Sequence, residues 1–201
     1  IESNGSYTVT SADGLMNVAE LVNGGKTDIN ITLDKNIDLT GKDWTPIGTD
    51  YDNSYKGTFD GGGHTITGLT FTTNDEYAGL FGWLNRAGTV KNVVMEGVQI
   101  TSNQIYGGSI GGVVGYSWGT IENCSVSGSV SGNSIAGAVV GTQLGGAITG
   151  CSSSATVKGV TFAGGIAGET NSGASLTACY ATGDVTVEND GTSNALAGGG
   201  G

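Results

Sequence analysis

Residues 79–82 read Gly-Leu-Phe-Gly, and a small apolar motif of this kind, ending in glycine, returns three more times along the chain. The later copies are Gly112-Val113-Val114-Gly115, Ala138-Val139-Val140-Gly141 and Gly165-Ile166-Ala167-Gly168. A fifth copy begins at residues 195–198, and the successive final glycines lie 26 to 33 residues apart. Repetition at this period predicts a solenoid, in which each repeat is one supersecondary unit that stacks on its neighbours.

A second motif follows each of the first four copies, and the three cysteines occupy the same position in their copies of it. Its copies are Gly88-Thr89-Val90-Lys91-Asn92-Val93, Gly119-Thr120-Ile121-Glu122-Asn123-Cys124, Ala147-Ile148-Thr149-Gly150-Cys151 and Ser175-Leu176-Thr177-Ala178-Cys179. The residues after each cysteine alternate between polar and small or apolar, which predicts strands with one buried face. We therefore expect Cys124, Cys151 and Cys179 to continue the position of Val93 as an inward column. A buried thiol behaves there as a small hydrophobic group, in contrast to a reactive or metal-binding one.

These short strands cannot bury a face by themselves and need stacked neighbours to form a core. Helical repeats are disfavoured because 39 of the 201 residues are glycine, and each glycine in a helix costs about 1 kcal/mol relative to alanine. Glycine instead suits the corners between strands and the close contacts between coils. We predict an all-β fold, a right-handed parallel β-helix (β-solenoid), with residues 1–201 as a single domain.

The N-terminal segment, residues 1–27, predicts a cap for this solenoid. Ser11 is a suitable N-cap residue, and Gly24-Gly25 would end a short amphipathic helix. The apolar face of this helix comprises Leu15, Met16, Ala19, Leu21 and Val22. A helix in this place would cover strand edges that the first coil otherwise exposes.

Residues 28–77 are predicted to form the first coils, and residues 78–201 to form the repeats. The stretches 29–33 and 37–39 alternate in hydrophobicity and are typical of strands. A polar loop from Thr49 to Lys56 interrupts these coils.

Charge and composition exclude several classes of protein. Eighteen acidic residues against seven basic ones give a net charge of −11, so the chain lacks the basic surface that nucleic acids or anionic membranes require. Its apolar residues are too dispersed for a membrane span, and no membrane insertion of this segment is expected. The chain begins without Met and without a basic-then-apolar leader, which is typical of a mature or excised fragment.

Longer stretches of the chain resemble a known group of proteins. The runs ITLDKNIDLTGKDWTPIG (31–48) and GTFDGGGHTITGL (57–69), followed by AGLFG (78–82) and GTVKNV (88–93), resemble bacterial surface and secreted proteins with GLUG repeats. That motif, named for its Gly-Leu-any-Gly core, also occurs in adhesin-like proteins and in some secreted immunoglobulin-A peptidases. The likeness runs from about residue 7 to the end, although Ala138 and Ala167 depart from the consensus while keeping small or apolar character. It implies a β-helix that is extracellular or on the bacterial cell surface, and it carries over no catalytic residue.

Equivalent positions in successive repeats bring together no set of residues that predicts a catalytic site. Parallel β-helices often host polysaccharide lyases and glycoside hydrolases, and a hydrolase needs two carboxylates about 5–10 Å apart. The acids here fall singly, with Glu122 opposite Lys91 and Glu169 opposite Thr142. His64 is the only histidine and lies among turn glycines. We therefore expect a non-enzymatic protein.

Aromatic residues supply the candidate binding site. Trp83 and Tyr116 each follow the final glycine of a repeat, and Trp118 lies two residues further on. An exposed aromatic strip on a rigid sheet can stack against sugar rings or anchor a protein partner. The alternative is that these rings only cover hydrophobic corners of the solenoid.

Acidic residues around the polar loop supply a candidate cation site. Asp50, Asp52 and Asp60 offer the oxygen ligands that Ca²⁺ prefers, although their spacing does not match the EF-hand loop. A solvated acidic loop is the alternative. No other cofactor is expected.

These observations predict a non-enzymatic extracellular module for bacterial cell adhesion or for contact with a surface or glycan. A host glycan or an extracellular protein would be its partner. Two alternatives stay open: a carbohydrate-active β-helix enzyme, either a polysaccharide lyase or a glycoside hydrolase, and an accessory domain of a secreted peptidase.

Overall fold

The computed structural model describes residues 2–3, 5–188 and 199–200, so the repeat predicted to begin at residue 195 lies largely outside the described residues. A single helix, α1 (Ala12–Asn23), lies within this part of the chain, between the second and third strands. The strands are β1 (Glu2–Ser3), β2 (Ser6–Val9), β3 (Asn30–Leu33), β4 (Ile37–Asp38), β5 (Thr58–Asp60), β6 (Thr65–Thr67), β7 (Thr70–Thr73), β8 (Tyr77–Ala78), β9 (Phe81–Leu84), β10 (Thr89–Lys91), β11 (Val94–Ser102), β12 (Ser109–Gly111), β13 (Val114–Ser117), β14 (Thr120–Glu122), β15 (Ser125–Gly132), β16 (Ile135–Gly137), β17 (Val140–Thr149), β18 (Ser152–Ser153), β19 (Thr156–Gly159), β20 (Phe162–Gly164), β21 (Ala167–Thr177), β22 (Tyr180–Ala181), β23 (Val185–Val187) and β24 (Gly199–Gly200).

The strands form three sheets around one core. Sheet A contains β1, β2, β3, β5, β9, β10, β13, β14, β17 and β21; sheet B contains β4, β6, β7, β11, β15, β18, β19, β22 and β23; sheet C contains β8, β12, β16, β20 and β24. Apart from β1 with β2, which run antiparallel, the strand pairs described are parallel, for example β10 with β14 and β15 with β19. The chain is a parallel β-solenoid of about six turns, which confirms the predicted fold class.

The glycine-ending motifs form the corners between sheet C and sheet A. In each repeat the chain leaves a sheet C strand, passes through the motif and enters a sheet A strand, as in β12 followed by β13. The second residue of the motif points into the core in all four copies: Leu80, Val113, Val139 and Ile166 are buried. The motif therefore combines an inward apolar residue with a final glycine that is the second residue of the following sheet A strand.

The predicted N-terminal helix is present and is capped as expected. The Ser11 hydroxyl accepts a hydrogen bond from the backbone N–H of Gly14 (3.2 Å), and the backbone N–H of Gly24 donates to the Glu20 carbonyl (2.8 Å). Its fully buried residues are Leu15, Val18, Ala19 and Val22, whereas Met16 and Leu21 are partly exposed. The helix packs on the first coil as part of the core. It is not long or apolar enough to cross a membrane.

The polar loop differs in part from its prediction. Tyr55 and Ser54 are fully buried, and the Tyr55 hydroxyl donates a hydrogen bond to the Ile29 carbonyl (2.9 Å). Isolated parallel bridges join Ile47 to Phe81 and Tyr55 to Leu84. The loop is therefore attached at both ends to β9, and only its middle projects into solvent.

The cysteine column is confirmed. Val93, Cys124 and Cys151 are buried, Cys179 is partly exposed, and all three thiols are free. Contact with the Cys151 thiol, together with burial, raises the pKa of Cys124 well above its ordinary range. A buried protonated thiol is a poor nucleophile and a poor metal ligand, which favours a structural role for Cys124.

The residue before each position of the column, that is before Val93 and before each of the three cysteines, has a backbone in the left-handed region. The φ angles are 55° at Asn92, 51° at Asn123, 64° at Gly150 and 53° at Ala178. Asparagine and glycine adopt this conformation readily, but alanine does not, because its Cβ approaches the following carbonyl. Ala178 is therefore strained where the other copies are not.

We expect Ala178→Gly to raise the free energy of unfolding by about 0.5–1 kcal/mol, since relief of backbone strain outweighs the added freedom of the unfolded chain. Urea unfolding followed by circular dichroism would measure the change. Ala181→Gly, in the adjacent extended strand β22, serves as the control and should lower stability. Equal destabilisation by both substitutions would contradict the expected strain at Ala178.

Candidate functional site

Four aromatic side chains meet on the outside of the solenoid where sheets A and C adjoin. Trp83 on β9 and Tyr116 on β13 have ring centroids 4.5 Å apart at an interplanar angle of 55°. Tyr77 on β8 lies 4.8 Å from each of them, and Tyr51 lies 5.7 Å from Trp83 with its ring edge-on. We call Tyr51, Tyr77, Trp83 and Tyr116 the aromatic platform.

Strand register brings the rings together. Tyr116 pairs directly with Trp83 in adjacent coils, and both side chains point outward because the residues beside them, such as Ser117 and Leu84, point into the core. The rings remain accessible: Trp83, Tyr77 and Tyr116 are partly exposed, and Tyr51 is 70% exposed. The platform is therefore fixed by backbone pairing and open to a ligand.

Trp118, the third predicted residue, directly follows β13, the strand that carries Tyr116, but it lies outside the platform. Its ring has the Arg86 guanidinium above it, with the Arg86 Cζ 5.2 Å from the ring centroid, a cation–π contact. The predicted strip thus consists of two neighbouring parts, one of stacked rings and one of a tryptophan covered by an arginine.

Two tyrosines of the platform were missed as site residues by sequence reasoning. Tyr77 pairs with Ser109 in sheet C, one strand before Trp83, and the repeat register could have placed it near the platform. Tyr51 belongs to the polar loop, and only the bridges from the loop to β9 bring it near Trp83. No pattern in the sequence indicated those bridges.

Carboxylates lie beside the platform and affect its phenols. The Tyr77 hydroxyl donates a hydrogen bond to the Glu76 carboxylate. Partial burial, followed by the negative charges of Glu169 and Glu76, raises the pKa of Tyr116. Burial and the contact with Glu76 raise the pKa of Tyr77 in the same direction. The phenols therefore stay protonated at neutral pH, and both they and the carboxylates can hydrogen-bond to hydroxyl groups of a ligand.

The predicted calcium residues make other contacts. Asp50 accepts hydrogen bonds from the backbone N–H of Asn53 (3.0 Å) and from the Thr49 hydroxyl (3.0 Å), while Asp52 is exposed. Asp60 lies on β5 and forms an ion pair with Lys91 (3.4 Å). Within residues 2–3, 5–188 and 199–200, no group of three or more His, Cys, Asp and Glu side chains could hold a metal ion. Calcium binding at Asp50, Asp52 and Asp60 stays a prediction without structural support.

The acids considered for catalysis lie in the predicted register. Glu122 pairs with Lys91 on one side and with Thr149 on the other, and Glu169 pairs with Thr142. Neither has a second carboxylate at its own position in the adjacent coil. His64 lies in a turn, where its backbone N–H donates to the Gly61 carbonyl (2.8 Å).

The repeat that contains Tyr116 and Trp118 is recognisable in other proteins. Residues 106–131 match the family model of the GLUG motif. The chain carries a GLUG motif. The resemblance seen in the sequence is thereby confirmed, and Tyr116 of the aromatic platform lies within the matched residues, while Trp83 holds the equivalent position after Gly82 one repeat earlier.

Two relatives share long stretches with this chain. Halomucin of Haloquadratum walsbyi is 38% identical over 112 residues, which are 51% of this chain and 1% of halomucin. A protein described as a Gly-rich membrane protein of Evansella cellulosilytica is 34% identical over 129 residues, which are 60% of this chain and 14% of that protein. The chain thus spans only a small part of the length of either relative.

A solved structure shares the fold. The crystal structure of a protein described as an immunoglobulin A1 protease from Bacteroides ovatus aligns with a TM-score of 0.62 and 19% identity, covering 98% of this chain and 84% of that one. At this level of identity the likeness supports the β-solenoid architecture alone.

Proposed function

We propose that this chain is a non-enzymatic extracellular β-solenoid module that attaches a bacterial surface to a glycan through the aromatic platform. One observation carries the proposal: four aromatic rings cluster, partly exposed, on a backbone fixed by parallel strand pairing. Aromatic side chains offer a large rigid contact area at low entropic cost.

The chemistry around the rings favours a sugar over a protein as the partner. Phenol hydroxyls and the Glu76 carboxylate lie beside the rings, so a ligand with one apolar face and several hydroxyl groups would stack and hydrogen-bond at once. A protein partner would be expected to need a broad apolar patch, and the neighbouring 103–108 loop, which approaches Glu76 at Gly107, adds only the two large exposed apolar residues Ile105 and Tyr106.

Two other functions are compatible with the fold. The GLUG motif, which resembles repeats found in some secreted immunoglobulin-A peptidases, is compatible with an accessory domain of a secreted peptidase, which could use the same platform to hold a glycosylated substrate. Neither Glu122 nor Glu169 pairs with a second carboxylate in the adjacent described coil, which supports a binding module over a carbohydrate-active enzyme.

A glycan array with the whole chain, followed by calorimetry on the glycans that bind, tests the proposal. We expect Trp83→Ala to weaken binding at least tenfold, because the ring in contact with the other three is lost. Tyr180→Ala removes an equally aromatic but unrelated surface residue, 65% exposed on β22, and should leave affinity unchanged.

Three outcomes would overturn the proposal. Equal glycan affinity of the wild type and Trp83→Ala would show that the glycan does not bind at the aromatic platform. Failure to bind any glycan, combined with capture of a defined extracellular protein, would change the class of partner. Release of reducing ends or unsaturated sugars from a bound glycan would identify an enzyme.

A further inference from the structure

Arg86 is the only arginine in the chain, and the structure places it beside the aromatic platform. It lies in the turn between β9, which carries Trp83, and β10. The turn is closed by a hydrogen bond from the backbone N–H of Gly88 to the Asn85 carbonyl (2.8 Å). The guanidinium is exposed and lies over the Trp118 ring. Its position is therefore set by a tight turn on one side and by an indole on the other.

Within the part of the chain that the structure describes, no carboxylate forms an ion pair with this guanidinium. The ion pairs found among the described residues join Lys42 to Asp13, Lys91 to Asp60 and Lys158 to Glu188. Because the chain has eighteen acidic and seven basic residues, a carboxylate near the one arginine would be expected by chance. Arg86 instead packs on an aromatic ring, an arrangement that leaves the in-plane N–H groups of a guanidinium available to a planar anion.

Arg86 and the rings lie within reach of one ligand. Trp118 is two residues beyond Tyr116 and on the same side of the sheet, about 7 Å along the strand direction. Arg86 lies above Trp118 and three residues after Trp83. Paired positions in successive coils of sheet A form a row across the strands. It starts at Trp83 and ends at Glu169. The surface therefore has the rings of Trp83 and Tyr116 next to each other, Glu169 two coils beyond Tyr116, Glu76 at Tyr77, and Arg86 displaced from the rings along the strand direction.

We infer that this surface selects sugars that carry a carboxylate, such as uronic or sialic acid residues. The inference rests on the proposed glycan function and adds a specificity-determining residue to it. The sugar ring stacks on Trp83 and Tyr116, and its carboxylate accepts two parallel hydrogen bonds from the Arg86 guanidinium. A neutral sugar keeps the stacking and loses the charged pair.

Paired ligands that differ only in charge or in the acidic residue test the inference. Calorimetry with the whole chain would compare trigalacturonate with its methyl ester, and sialyllactose with lactose. We expect the wild type to bind the acidic member of at least one pair about tenfold more tightly, and this preference should shrink as salt is added. The pair that shows the preference identifies the source of the carboxylate.

Two substitutions separate charge from geometry. Arg86→Gln should remove the preference by weakening the acidic ligand about tenfold, with the affinity for the neutral ligand unchanged. Arg86→Lys should restore part of the preference, since it keeps the charge but not the planar fork. Thermal unfolding of each variant checks that Trp118 remains packed.

The outcomes distinguish this inference from the function on which it rests. Equal binding of acidic and neutral sugars by the wild type, or an unchanged preference in Arg86→Gln, overturns the role of Arg86 and leaves the glycan function standing. An equal loss of both ligands in Arg86→Gln shows a structural role only and also overturns it. If neither these sugars nor any array glycan binds, both proposals fail.

Discussion

Replacing Gly141 by alanine is expected to lower the free energy of unfolding by about 3 kcal/mol. Gly141 ends the third copy of the motif and is the second residue of β17, just after the corner between sheets C and A. A Cβ atom there would lie 2.3 Å from the Ser109 Oγ and 2.6 Å from both the Gly115 carbonyl oxygen and the Ile110 nitrogen. Strand pairing holds the two backbone atoms in place, so the corner must open to accept a methyl group. Urea unfolding followed by circular dichroism would measure the loss.

Gly173→Ala is the matched control, because Gly173 lies on β21, the strand paired with β17. A Cβ atom at this position would come no closer than 3.2 Å to its nearest neighbour, the Leu144 carbonyl oxygen. Its effect should stay within about 0.5 kcal/mol. If Gly141→Ala and Gly173→Ala unfold at the same urea concentration, close approach of the coils is not the reason for glycine at the motif's end.

The repeat register was predictable because a solenoid converts sequence period directly into position. Once the coils stack in parallel and in register, residues of equal phase become neighbours, as Glu122 does with Lys91 and Glu169 with Thr142. The pairing of Tyr116 with Trp83 follows from the same rule. The fold and the centre of the candidate site could thus be deduced without knowledge of any long-range contact.

The remaining features of the site depend on contacts that do not recur from one repeat to the next, so the repeat pattern could not predict them. The loop with Tyr51 reaches β9 through two isolated bridges, and the long side chain of Arg86 bends over Trp118 from a neighbouring coil. Asp60 was grouped with the polar loop as a candidate cation ligand because the two are close in sequence. The sheet instead directs Asp60 towards Lys91 and Asn92 of the next coil. Strand pairing determined its partners, and sequence distance did not.

Phe81→Ala is expected to destabilise the protein most, by about 4 kcal/mol. Phe81 is fully buried, and its ring packs 5.3 Å from Tyr55 and 5.2 Å from Phe59, centroid to centroid. The next coil has the smaller Val114 at this position, so neighbouring side chains cannot fill the space that alanine would leave. Phe81→Leu retains most of the volume and should cost less than about 1.5 kcal/mol. Unfolding in urea would rank the two variants, and similar losses would show that ring contacts matter more than filled volume.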